Sequence, residues 1–167
     1  LVLSELPQVI LDDVNTYFQL KPGSVGAPDL YLGAKLSKIT MPNGVTAWCN
    51  SSHRYVQEAI RNTEKFIQHH GAKMLRKKTQ SPMEANYPPE LDVSPLLTAD
   101  KANYYQSQLG ILRWIVELGR IDIATEVSML AAHNALPREG HLAGVFRIYS
   151  YLKTRPKARL VFDPSYA

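Results

Sequence analysis

Apolar positions along the chain recur mostly at helical spacing, with two short stretches of strand character near residues 30 to 50. Ser4 to Phe18 (SELPQVILDDVNTYF) places Leu6, Ile10, Val14, Tyr17 and Phe18 three or four residues apart behind a serine and an early proline, which predicts a helix. QLKPGSVGAPD breaks that pattern with prolines and glycines. Leu30 to Met41 (LYLGAKLSKITM) and Val45 to Asn50 (VTAWCN) are rich in β-formers and flank PNG, predicting a β-hairpin. Ser51 and Ser52 are placed to cap a helix running to His70, where two histidines and Gly71 suit a C-terminus. Residues 79–97 carry four prolines and predict an irregular connection. Three helices follow: about Thr98 to Gly119, about Asp122 to Ala135, and about Pro137 to Lys153 with Pro137 in the first turn. ARLVF predicts a last short strand. The fold class is α+β, mainly helical, a β-hairpin plus a helical bundle, without internal repeats.

One of these helices departs from ordinary surface chemistry. In YQSQLGILRWIVELG and the arginine after it, Gln106, Gly110, Arg113, Trp114, Glu117 and Arg120 fall in one sector at about 100° per residue, while Leu109, Leu112, Val116, Ile111, Ile115 and Leu118 fill the rest. Glycine in a helix interior costs about 1 kcal/mol relative to alanine, so Gly110 calls for a compensating role. Without a side chain it lets a ligand approach the backbone; Gln106 offers an amide one turn before it and Trp114 a flat ring one turn after. A nucleic-acid minor groove presents uniform acceptors beside sugar rings, which such a strip could track. Helix-to-helix packing, with Gly110 admitting a neighbour and Trp114 buried, is the competing explanation.

Composition narrows the setting. The chain is 167 residues long, 45% apolar and 20% charged, as in one ordinary globular domain. No apolar run reaches the roughly 20 residues of a membrane span, and no signal peptide opens the chain, so a cytoplasmic or nuclear location is expected and no membrane partner. The lone Cys49 forms no internal disulfide and no thiol pair for zinc. The net charge of +4 lies in the first half: residues 1–80 hold ten Lys/Arg against six Asp/Glu, residues 81–167 nine of each. Its peak is KMLRKK, with Lys73, Arg76, Lys77 and Lys78, a patch suited to a polyanion or to a solvated surface.

Reactive constellations are hard to assemble. Asp12 and Asp13 are adjacent, but consecutive side chains on a helix diverge by about 100° and do not grip one ion together. The five histidines show no metal-ligand spacing, Cys49 has no placed base, and Gly23 and Gly26 are not followed by the lysine of a phosphate-binding loop. A free-standing hydrolase therefore lacks its parts.

Four segments, YFQLKPGSVGAPDLYLGAKL, PNGVTAWCNSSHRYVQEAI, YYQSQLGILRWIVELGRIDIATEVSML and ALPREGHLAGVFRIYSYLK, together resemble the downstream part of copia-type retrotransposon reverse transcriptases. The resemblance covers nearly the whole chain. It implies that residues 1–50 are the end of the palm with a primer-grip-like hairpin, begun by Tyr31, Leu32 and Gly33, and that residues 51–167 are the helical thumb and connection region. It further implies that Gln106, Gly110 and Trp114 meet the minor groove of an RNA/DNA or DNA duplex, with Arg113 of the same strip an expected nucleic-acid contact, and that the remainder of the polymerase polyprotein is a partner. No Y-x-D-D occurs here. The divalent metals and catalytic aspartates of RNA-directed DNA polymerization would belong to an absent palm, leaving no cofactor and no catalytic residue in this chain. The first residue, Leu1, and the closing FDPSYA give the sequence the look of a piece cut from something longer. The alternative is a decayed or repurposed helical protein-interaction module without nucleic-acid binding.

Overall fold

A computed structural model describes residues 6–71, 73–76 and 78–166, Tyr166 by its backbone alone. Among these residues the chain is α+β, with five α-helices and one four-stranded antiparallel sheet. Its centre is the helix predicted near Pro137 to Lys153, which runs Glu139–Thr154 (α5) and buries residues on several sides, including Leu142, Val145, Ile148, Tyr149 and Leu152. It starts two residues later than expected. Pro137 stands before the helix, and the Arg138 N–H, at the N-cap, donates to His141 Nδ1 at 3.0 Å.

Around α5 lie helices His53–His69 (α2), Ala99–Glu117 (α3) and Ala124–Ala131 (α4), numbered after an N-terminal helix Pro7–Tyr17 (α1). Their inward positions, Val56, Ile60 and Ile67 from α2, Tyr105, Leu109, Leu112 and Ile115 from α3, and Val127 and Leu130 from α4, form one core with α5. Complete burial of each such side chain contributes about 1.5–3 kcal/mol. The close approach of α4 and α5 depends on Gly144: a Cβ there would stand 3.2 Å from Leu130. α4 is shorter than Asp122 to Ala135. It is preceded by a 3₁₀ turn at Ile121–Ile123, and after Ala131 the chain unwinds toward Leu136, whose position before Pro137 disfavours helical backbone.

The hairpin forms, with a correction. Leu30 to Met41 is not one strand but two, Leu30–Tyr31 (β1) and Ala34–Thr40 (β2), because Leu32 and Gly33 make a tight turn with φ of 51° and 94°. Positive φ at both central residues matches the right-handed twist of a two-residue hairpin. β2 pairs with Thr46–Ser51 (β3) across the predicted PNG turn, with Ser37 opposite Cys49 and Lys38 opposite Trp48. Ala34, Ala47 and Cys49 are buried. The last strand, Leu160–Phe162 (β4), comes from the far end of the sequence and adds to the other edge of β3. Asn50 Nδ2 donates to the carbonyl of Leu118 at 3.4 Å, tying the sheet to the end of α3.

The ends of the helices follow local chemistry. Gly119 (φ 105°) ends α3: its N–H bonds Val116 O and that of Arg120 bonds Ile115 O, a Schellman arrangement that satisfies the last carbonyls. Gly71 follows α2 in the left-handed region (φ 61°), and His69 and His70 place Nδ1 2.7 and 2.9 Å from the carbonyls of Lys65 and Phe66. Ser52 is the N-cap of α2, but its side chain makes no cap bond and its hydroxyl is buried without a partner. α1 has the expected apolar spacing and no buried residue; its expected Ser4 cap lies outside the described residues.

Candidate nucleic-acid interface

The face of α3 singled out by spacing is solvent-facing. Gln106, Arg113 and Glu117 are exposed, and Trp114 is 37% exposed. A Cβ built on Gly110 meets nothing within 4 Å. Gly110 therefore admits no neighbouring helix, and packing does not explain it. Gln106 Nε2 donates to Asn134 O at 3.0 Å, which holds the side chain against the turn after α4 and leaves its other amide hydrogen and carbonyl oxygen free.

Arg120 does not belong to this strip. It is 1% exposed: beyond the Gly119 turn its side chain is drawn inward, where Nε and Nη2 donate to the two oxygens of Asp122 at 2.9 Å each and Nη1 donates to Arg155 O at 3.1 Å. The Tyr151 hydroxyl adds a bond to Asp122 at 3.0 Å. Burial pushes the Asp122 carboxyl up, but the Arg120 hydrogen bonds and charge outweigh it and hold the group below its ordinary value. The pair fastens the end of α3 to the end of α5 and takes the Arg120 guanidinium out of reach of a ligand.

Tyr31, Leu32 and Gly33 are exposed at the β1–β2 turn. Leu32 is an unusual residue for a left-handed position, where glycine and asparagine are favoured. In the basic run Lys73, Arg76 and Lys78 are exposed, and Lys77 lies outside the described residues. This run does not extend the α3 strip. The Arg76 N–H donates to Ser150 Oγ on α5, and Lys73 and Arg76 border a groove that Lys101 of α3 also lines. At about 100° per residue Lys101 and Gly110 point to opposite sides of α3. The sites predicted together as nucleic-acid contacts thus lie apart: two separate surfaces of the helical half, and the β1–β2 turn of the sheet.

The groove itself was not anticipated. It is about 590 Å³, between the end of α2, residues 73–76 and 83–87, and the first half of α5. Gly140 and Ala143, one turn apart, give α5 a small-residue face there, but no sequence signal joins them to the cationic run, which lies far upstream. Gly140 is required there for another reason: a Cβ would stand 1.7 Å from Asp92 Oδ2. Asp92 accepts hydrogen bonds from the Tyr87 hydroxyl and the Ser94 N–H, and Ser94 Oγ accepts from the N–H of Gly140, so residues 87–94 clasp the start of α5. Burial raises the Asp92 carboxyl; the bonds from Ser94 and Tyr87 outweigh it and leave it below its ordinary value.

Residues weighed for chemistry have structural surroundings. Asp12 and Asp13 are exposed on α1, where Asp12 accepts from Gln8 at 2.7 Å. Cys49 Sγ lies 3.2 Å from Ser37 Oγ inside the sheet. His141 Nδ1 accepts the Arg138 N–H, so its Nε2–H donates to Pro89 O at 2.9 Å, and His133 stacks on its ring at 4.3 Å. Among the described residues no three of His, Cys, Asp or Glu stand together as a metal site. Nor, among these residues, is any helix long and apolar enough to cross a membrane. No family model, no curated protein and no solved structure matches the chain.

Proposed function

We propose that this chain is a noncatalytic part of a copia-type reverse transcriptase, the end of the palm and the thumb, and that α3 positions the template-primer duplex. The observation that carries the reading is the open backbone at Gly110, flanked by Gln106, Arg113 and Trp114 on a helix whose other sides are committed to the core. A surface helix without a ligand gains by exchanging such a glycine for alanine; a helix that rests its backbone on sugar rings does not. Gln106 would donate to groove acceptors, Trp114 would lie along a sugar, and Arg113 would meet a phosphate. Polymer chemistry belongs, in this reading, to metal-binding carboxylates outside this chain.

Titration of a labelled RNA/DNA hybrid tests it. Wild-type protein is expected to bind with an affinity that falls as salt rises, and Gly110→Ala and Trp114→Ala are each expected to weaken binding while the fold, followed by circular dichroism, is retained. Hybrid binding that both variants leave unchanged would remove α3 from the interface.

A further inference from the structure

We propose that the groove between the end of α2 and α5 receives an acidic, apolar-tipped peptide segment of another protein. Met74, Leu75, Met83 and Leu142 supply an apolar lining, and methionines adapt their shape to an incoming side chain. Four cations border it, Lys73, Arg76, Lys101 and Arg147, against two carboxylates, Glu84 and Glu139. Those carboxylates are taken: Glu84 accepts from Arg147 at 2.7 Å and from Arg76 at 3.4 Å, and Glu139 accepts from Lys101 at 2.7 Å. Among the described residues no carboxylate pairs with the exposed Lys73. Excess positive charge over an apolar floor is complementary to a ligand that is both anionic and greasy. The volume of about 590 Å³ lies within the roughly 300–1,000 Å³ of pockets that enclose sizeable ligands.

A nucleic-acid strand fits this chemistry less well. Bases are held by stacking on open aromatic faces; of the rings lining the groove, Phe66 is stacked on Tyr104 at 3.4 Å and on His70 at 4.0 Å, Phe146 packs against the core, and Tyr87 ties its hydroxyl to Asp92. A peptide places a carboxylate against Lys73 and lowers a Leu or Phe between the methionines. Because this surface is opposite the Gly110 face, the assignment stands or falls separately from duplex positioning.

Selection from a displayed library of random peptides with the full chain tests the groove. Peptides combining Asp or Glu with Leu or Phe are expected to be enriched. The best of them, dye-labelled and titrated by fluorescence anisotropy, is expected to lose about tenfold in affinity on Lys73→Glu and on Ala143→Trp. Both positions are exposed, and melting curves of the variants should match wild type. No enrichment, enrichment of basic peptides, or binding indifferent to both substitutions would overturn the proposal; so would a labelled oligothymidylate bound in place of peptide with the same two sensitivities. Loss of peptide binding with hybrid binding intact, or the reverse in Trp114→Ala, separates failure of this assignment from failure of the α3 reading.

Discussion

α3 has two sides that obey different rules. Inward, Tyr105, Leu109, Leu112 and Ile115 are buried, and even the polar Gln108 is satisfied there, its Oε1 accepting from the Tyr149 hydroxyl at 2.7 Å. Burial pushes the Tyr149 hydroxyl well above its ordinary range and outweighs the opposing hydrogen bond with Thr63. Outward, no residue of the strip is buried, and glycine and tryptophan stand where alanine and lysine would serve stability better. One helix thus shows composition set by packing on one side and composition that packing does not explain on the other. The contrast separates residues that packing dictates from residues that it does not, without reference to any relative.

Substitutions can break or sharpen that contrast. The largest effect is expected from Leu112→Ala on the inward side, a loss of about 2–5 kcal/mol in urea unfolding; an equal loss in Trp114→Ala would erase the distinction between the sides. Gly140→Ala, in contrast to Gly110→Ala, should destabilize by roughly 1–3 kcal/mol, because its methyl must displace Asp92 from Tyr87 and Ser94. Trp114→Ala is expected to cost about 1 kcal/mol, well short of the roughly 3–5 kcal/mol of a core tryptophan. Gly110→Ala should stabilize by up to about 1 kcal/mol, and a thermal melt that moves downward instead would show a hidden neighbour.

Arg120 sharpens the same boundary through pH. The Asp122 carboxyl is held below its ordinary value of 3.8, so the folded state binds that proton less readily than the unfolded chain. Stability from the pair is therefore complete above the ordinary carboxylate range and is lost as pH falls through the lowered folded value. Unfolding free energy measured from neutral to strongly acidic solution should decline less steeply in Asp122→Asn than in wild type, Asp92 supplying a similar acid-side decline in both.

Periodicity made α2, α3 and α5 legible, because a wide apolar stripe at helical spacing has one economical structure, and PNG between β-formers did the same for β2 and β3. It could not show what lies against a stripe. α1 has the same spacing as the core helices and buries nothing. Arg120 shares an angular sector with Gly110 only while the helix continues; the positive φ of Gly119 ends that phase and sends the guanidinium inward to Asp122, a partner two residues away. The Leu32–Gly33 turn was hidden because leucine carries no turn signal. At the site, the exposure of the Gly110 strip was readable from the greasy remainder of its helix. The groove was not, since it is assembled from segments distant in sequence.

The pairing of β3 with β4 has a consequence for folding order. More than a hundred residues separate Trp48 from its partner Phe162, so β3 remains a free edge until the helices between have brought the two strands together, a closure that is slow for such long loops. During synthesis the hairpin emerges first and waits for the last strand. Its open backbone is then a template for another nascent chain, and the short strand at Leu160–Phe162 acts, late in folding, as the intramolecular competitor of aggregation.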